Sequence, residues 1–170
     1  MPVLPATIQD VNQLVALVNS AYRGESSKRG WTTEADMIDG QRIDTESMTE
    51  QINDPEAVIL KYVNNDGFLS GCVYLKNKGS ELYVGMLTVS PQMQAGGIGR
   101  QLLQAAEDYA RSISINTVTM TVITRRAELL QWYYRRGYSP TGEVLPLLID
   151  KRFGVLKQPL DMYKLQKELA

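Results

Sequence analysis

Along this chain the spacing of apolar residues changes period several times. Val11, Leu14, Val15 and Val18 recur at three- and four-residue intervals, which predicts a helix over 8–22. Thr7 followed by Asp10 marks its start, as a capping box with Asp in place of Glu. Val3 to Ala6 reads as a short strand before it, and the polar stretch Arg23 to Gly30 as a loop after it. Thr32 or Thr33 is placed to cap a short helix through Met37, and Thr45 to cap another through Ile52, stopped before Pro55. From Ala57 the pattern turns strand-like. Ala57–Val63 and Phe68–Leu75 flank the turn Asn64-Asn65-Asp66-Gly67, and Glu81–Val89 follows a second polar turn, which predicts an antiparallel meander. Ile98, Leu102, Leu103, Ala106 and Ala110 then share one face of a long helix over 98–112. Thr117–Ile123 alternates threonine with Val118, Met120 and Val122, a half-buried strand. Ala127–Arg136 is helical and stops at Gly137, and the rest reads as two strands joined through 151–158.

This order, strand, helices, three-strand meander, helix, strand, helix, two strands, predicts a mixed α/β (α+β) sheet with helices on its faces. The length of 170 residues suits a single domain over 1–170, and no repeat or linker interrupts it.

Composition narrows the chemistry. The net charge of −1 carries no basic surplus for nucleic acid. No apolar run is long enough for a membrane span, and no secretory signal opens the chain. The single cysteine, Cys72, forms no internal disulfide, so a cytoplasmic location is the expectation. There is no histidine, which removes Ser-His-Asp and Cys-His triads and leaves no expected metal site. Carboxylates, tyrosines, backbone dipoles or a bound cofactor must carry the chemistry. On its apolar strand, Cys72 itself reads as a small buried residue or, alternatively, as a nucleophile for a ping-pong route.

One segment points to a ligand. Leu87 to Arg100 reads as an apolar strand, a turn with glycines at 96, 97 and 99, and the start of the long helix. A glycine turn at a helix start aims several N–H groups the same way, and the helix dipole makes it a phosphate site. A dinucleotide fingerprint needs a third glycine where Leu102 stands. A P-loop needs Lys where Arg100 stands. Val89-x-Pro91 followed by Gln94-x-x-Gly97-x-Gly99 instead resembles the acyl-CoA pyrophosphate loop of the GNAT superfamily of N-acetyltransferases.

The resemblance covers nearly the whole chain, with its specific motifs between about Glu81 and Tyr138. It implies a mostly antiparallel central sheet of about seven strands, about four helices, and a fourth strand that splays from the fifth. Acetyl-CoA is then the acyl donor, with its pyrophosphate on Gln94, Ala95, Gly96, Gly97, Ile98, Gly99 and Arg100. Its pantetheine lies on the main chain of Leu87, Thr88 and Val89. Gly85 reads as the bulge residue or as an ordinary strand glycine. Trp132-Tyr133-Tyr134-Arg135-Arg136-Gly137-Tyr138 resembles the family's helix motif and places Tyr133 at the CoA sulfur, where it protonates the leaving thiolate; packing is the other reading. The family's pantetheine-binding asparagine is replaced here by Arg126, and a usual small residue by Leu129. Arg125 and Arg126 read either as partners of the CoA phosphates or as a solvated pair.

Glu81 is the candidate general base, through a water, or a solvent-facing residue at a strand start. Tyr83 shares its face. Eight acidic residues between Glu34 and Glu56 stand against one basic residue, Arg42, and read as a rim for a cationic amine or as solvated helix faces. Trp31, Glu34, Tyr83 and Asp150 are the candidate acceptor-side residues, with Arg152 and Phe153 on the same second rim. The sequence therefore reads as an N-acetyltransferase acting by direct transfer on a small amine or peptide acceptor, as monomer or homodimer. The alternative is a non-catalytic acyl-CoA-binding or sensing module of the same fold.

Overall fold

A computed structural model of the protein describes residues 3–23, 34–35, 37–92, 96–148 and 155–170, without the side chain of Asp39. The expected cap at Thr32 or Thr33 lies outside them, as do the site candidates Trp31, Gln94, Ala95 and Asp150.

The elements in chain order are β1 (Val3–Pro5), α1 (Val11–Tyr22), β2 (Ile38–Asp39), α2 (Thr45–Asn53), β3 (Ala57–Val63), β4 (Leu69–Asn77) and β5 (Leu82–Val89). They continue with α3 (Ile98–Ser112), β6 (Thr117–Ile123), α4 (Ala127–Tyr134), β7 (Ser139–Pro146), β8 (Val155–Leu156) and β9 (Asp161–Glu168). The predicted helix over 8–22 opens as one 3-10 turn, Ile8–Asp10, with the Thr7 N–H donating to Asp10 Oδ2 at 2.8 Å. The cap of α2 is Asp44, not Thr45: its side chain accepts from the Ser47 N–H at 2.8 Å. Where a helix was expected to end at Met37, Ile38–Asp39 form a short strand against Val155–Leu156.

Seven strands make one sheet in the order β1-β3-β4-β5-β6-β9-β7. Every pairing is antiparallel except β5 with β6, which is parallel. Strand alternation divides the core between two faces. Leu60, Val73 and Leu75 point to the side of α3, against Leu102, Leu103 and Ala106. Ile59 and Cys72 point to the opposite side, against Leu14 and Val18 of α1 and Met48 of α2. Gly71 lets α3 sit close: a Cβ there would meet Thr88 O at 2.8 Å, Leu102 Cδ1 at 2.9 Å and Ile98 Cγ2 at 3.0 Å.

Two departures from a regular sheet create the site. First, β5 and β6 pair only at Leu82↔Val118 and Tyr83↔Thr119, then diverge. Second, β5 carries an extra residue against β4, because Cys72 faces Thr88 while Tyr74 faces Gly85. The bulge was expected at Gly85, but Met86 takes the left-handed conformation, at φ 54. Gly85 instead leaves room for the Tyr83 ring, which a Cβ there would meet at 2.9 Å. The Thr88 hydroxyl donates to Met86 O at 2.8 Å and holds the bulge closed.

Candidate active site

The gap left by the divergence of β5 and β6 is a cavity of about 330 Å³. Tyr83 to Leu87 form one wall and Met120 to Ile123 the other. Leu129 and Tyr133 of α4 close one side, and Tyr22, Arg23, Glu34, Arg42, Leu147 and Leu148 another.

The main chain of β5 presents itself to this gap. Ser90 N–H bonds Ser70 O at 2.8 Å, so antiparallel alternation turns the backbone of Thr88 toward β4 and that of Leu87 and Val89 away from it. The Leu87 carbonyl accepts from the Tyr22 hydroxyl at 2.8 Å. Tyr22 thus ties α1 to the bulged strand, and burial pushes its phenol up to about 12.

Past the end of β5 the chain reaches α3. Gly97 is its N-cap, in the left-handed conformation at φ 71, and no acidic residue occupies the first turn. A Cβ on Gly96 would have only Ile98 Cγ1 near it, at 3.8 Å, and one on Gly97 only Arg100 Nη2, also at 3.8 Å. Among the described residues, the space before the turn is therefore open. Ile98 and Gly99 are buried, while Arg100 is exposed. Its guanidinium adds positive charge where the helix dipole already favours an anion.

Tyr133 occupies the other side of the gap. Its ring packs edge-on against Trp132, at 5.2 Å between centroids, and against Tyr138 at 5.9 Å. Burial, reinforced by Tyr22, raises its phenol far above the ordinary tyrosine value. Its hydroxyl has no hydrogen-bond partner among the described residues. Tyr134, next along the helix, is half-buried and does not line the cavity. Gly137, at φ 95, ends the segment as the motif requires.

The remaining candidates are sorted by what they touch. Glu81 accepts from the Thr119 hydroxyl, pairs with Lys164 Nζ at 3.5 Å, and does not line the cavity. Tyr83 does line it, with its hydroxyl 3.3 Å from Thr121 Oγ1. Glu34 lines it too, but as the partner of arginines: Arg23 Nη2 lies 3.0 Å from Oε1 and Arg126 Nη1 lies 4.0 Å from Oε2. Neither reading of Arg126 anticipated this, since its side chain is buried and turned toward Glu34. Arg125 is exposed and donates to Gln158 at 2.6 Å. Apart from Glu34, the described acidic side chains of the 34–56 stretch are solvated or structural. Glu46, Glu50 and Glu56 are exposed, Asp44 caps α2, and Asp54 pairs with Lys76. Cys72 is fully buried away from the cavity, and burial pushes its thiol up to about 12.

Sequence reasoning missed Tyr22, Arg23 and Arg42 as cavity residues. In the sequence Tyr22 reads only as the end of the first helix. Arg23 reads as loop charge, and Arg42 as the one basic residue of the acidic stretch.

A family model for the acetyltransferase (GNAT) domain matches residues 26–145 of this chain. The chain belongs to the GNAT acetyltransferases. A curated relative, the amino-acid acetyltransferase of Pseudomonas putida (strain GB-1), is 34% identical over 89 residues, covering 49% of this chain. That match spans only 19% of the relative's own length. The PaiA N-acetyltransferase of Thermoplasma acidophilum, solved in complex with coenzyme A, superposes with a TM-score of 0.70 at 17% identity, over 99% of each chain. A GNAT family acetyltransferase from Elizabethkingia anophelis, solved with acetyl-CoA bound, gives 0.59 at 18% identity, over 74% of this chain and 84% of that one. GNAT structures of this fold thus hold CoA or acetyl-CoA. Among the described residues of this GNAT chain, no group of three or more Cys, Asp or Glu is arranged to hold a metal ion. No helix among them is long and apolar enough to cross a membrane.

Proposed function

We propose that this chain transfers the acetyl group of acetyl-CoA to a primary amine by direct attack. When bound, acetyl-CoA supplies an acetyl thioester, whose sulfur must accept a proton as it leaves. The observation that carries the reading is Tyr133: a phenol kept neutral by burial, with an open hydroxyl on the cavity made by the splayed strands. A neutral donor held close is what a departing thiolate needs.

The chain's other parts fit the same donor. Gly96, Gly97, Ile98, Gly99 and Arg100 form an open, carboxylate-free helix start suited to a pyrophosphate, continuing the expected site from Gln94 and Ala95. Of the expected stretch Leu87, Thr88 and Val89, the backbone of Leu87 and Val89 faces away from β4 and supplies the strand edge for pantetheine, and the main-chain dipoles there polarise the thioester carbonyl. The general base is recast. Glu81 is engaged below the cavity by Thr119 and Lys164, so the amine's proton passes first to cavity water beside Tyr83.

Calorimetry with acetyl-CoA in the absence of any acceptor tests the donor site. An amine library followed by release of CoA thiol tests transfer. Binding with turnover supports the proposal, and a wild-type protein without affinity for CoA or acetyl-CoA overturns it.

A further inference from the structure

The acceptor side of the cavity has an unexpected charge. Three guanidinium groups line it, from Arg23, Arg42 and Arg126, against one carboxylate, Glu34. The described lining is therefore two positive charges in surplus, in a chain whose net charge is −1. An acidic rim for a cationic amine was one expectation of the sequence, and the described residues do not form it.

The three arginines differ in what they are already doing. Arg23 is committed: its Nε and Nη2 each lie 3.0 Å from Glu34 Oε1, and its Nη1 donates to the Gln41 carbonyl at 3.2 Å. Arg126 reaches the same carboxylate at 4.0 Å. Arg42 has no carboxylate partner among the described residues. Its guanidinium lies over the Tyr22 ring, 5.5 Å from the centroid, and its side chain is half-buried.

The backbone that carries Arg42 is pinned. Asn19 Oδ1 accepts from the Arg42 N–H at 2.6 Å and the Ile43 N–H at 3.1 Å, while Asn19 Nδ2 donates to Ile43 O at 3.0 Å. Arg23 holds Gln41 from the other side. A cation fixed at its base, with its guanidinium over an aromatic face and no carboxylate partner among the described residues, is preorganised for an anion. That anion is not the CoA pyrophosphate, because no residue of the Gly96–Arg100 turn lines this cavity.

Resting on the acetyltransferase reading above, we infer that the acceptor is a small amino acid or close analogue, whose carboxylate is held by Arg42 while its amine faces the thioester. The same surplus of positive charge disfavours the ammonium form of the bound amine and so favours the neutral nucleophile that attack requires.

Acetyl-CoA binding is first established by calorimetry, so that loss of the donor site is seen separately. Wild-type protein is then offered matched trios: a free L-amino acid, its carboxamide, and the amine lacking the carboxylate, across the twenty side chains, with release of CoA thiol as readout. Preference for the carboxylate member by at least tenfold in kcat/KM is expected for the best side chain. Arg42→Gln should collapse that ratio to within threefold of unity, mainly through KM, and Arg42→Lys should keep part of it. Retained acetyl-CoA binding shows that each variant is folded. Equal or better turnover of the uncharged or decarboxylated members overturns the inference, as does an unchanged ratio in Arg42→Gln. Donor binding without turnover of any trio, and without calorimetric binding of free amino acids to the CoA-loaded protein, also overturns it.

Discussion

A phenol serves a leaving thiolate only while it keeps its proton. Burial gives Tyr133 that property, and packing against Trp132 and Tyr138 fixes where its hydroxyl points. Tyr133→Phe keeps the ring and removes the proton, so kcat should fall well over tenfold, within the hundred- to ten-thousand-fold range typical of about one general acid. Acetyl-CoA affinity, read by calorimetry, should change little. Tyr134→Phe is the control and should be nearly silent, since that side chain lies off the cavity. If only Tyr134→Phe is costly, the assignment moves to Tyr134. Glu81→Gln should reduce kcat less than about tenfold, because Glu81 is held by Thr119 and Lys164 rather than open to the amine. A loss as large as that of Tyr133→Phe would restore Glu81 as the base. Tyr133 was legible in the sequence because its motif is local: an aromatic helix ended by Gly137. Arg23 and Arg42 were not, because charge on a loop and charge in a cavity look alike until distant segments meet.

At the scale of elements, the long periodic segments were readable and their irregularities were not. The boundaries of β3, α3 and β6 coincide with the expected ones, since each is a clean period bounded by turn residues. The bulge was placed one residue early. A positive φ in a strand suggests glycine, yet Met86 adopts it, and that conformation is held from outside. The Thr88 hydroxyl holds the Met86 carbonyl, and Tyr22 holds the next one along. Thr88→Val leaves that buried carbonyl without its donor and should cost about 1–3 kcal/mol in chemical denaturation. It should also raise KM for acetyl-CoA. The turn into α3 makes the complementary prediction. Gly97→Glu forces a side chain into the left-handed conformation and adds negative charge where a pyrophosphate would sit, so acetyl-CoA binding should disappear while the far-ultraviolet circular dichroism is kept.

For the molecule as a whole, four buried acids face the same way. Burial raises the Cys72 thiol and the phenols of Tyr22, Tyr133 and Tyr138 above their ordinary values near 9 and 10. In the unfolded chain these groups lose their protons first, so above pH 9 the unfolded state binds fewer protons and stability falls as pH rises. Below about pH 8 all four are protonated in both states and contribute no slope. Urea midpoints should be flat in this respect from about pH 7 to 8, begin to fall near pH 9 as Cys72 titrates in the unfolded chain, and drop most between about pH 9.5 and 11. Each group adds up to about 1.4 kcal/mol per pH unit to that slope. A midpoint unchanged at pH 11 would show that these groups reach solvent. The mixed sheet order was legible from the meander and the alternation of elements, and the parting of β5 and β6 from the family resemblance. The place of Arg23 and Arg42 on the cavity was not, because they meet it only once α1 and the segment before α2 fold over that gap. Gly71 bears on how that opening is gauged. Its missing methyl lets α3 rest on β4, and α3 carries the phosphate turn while β5 carries the thioester edge. The span between the two grips on the donor is thus calibrated by a residue that sits between them, paired with Val89 on β5 and packed under Ile98 of α3. Gly71→Ala would set a methyl against the Thr88 carbonyl and the side chains of Leu102 and Ile98, so strand and helix must move apart and the donor would be held out of reach.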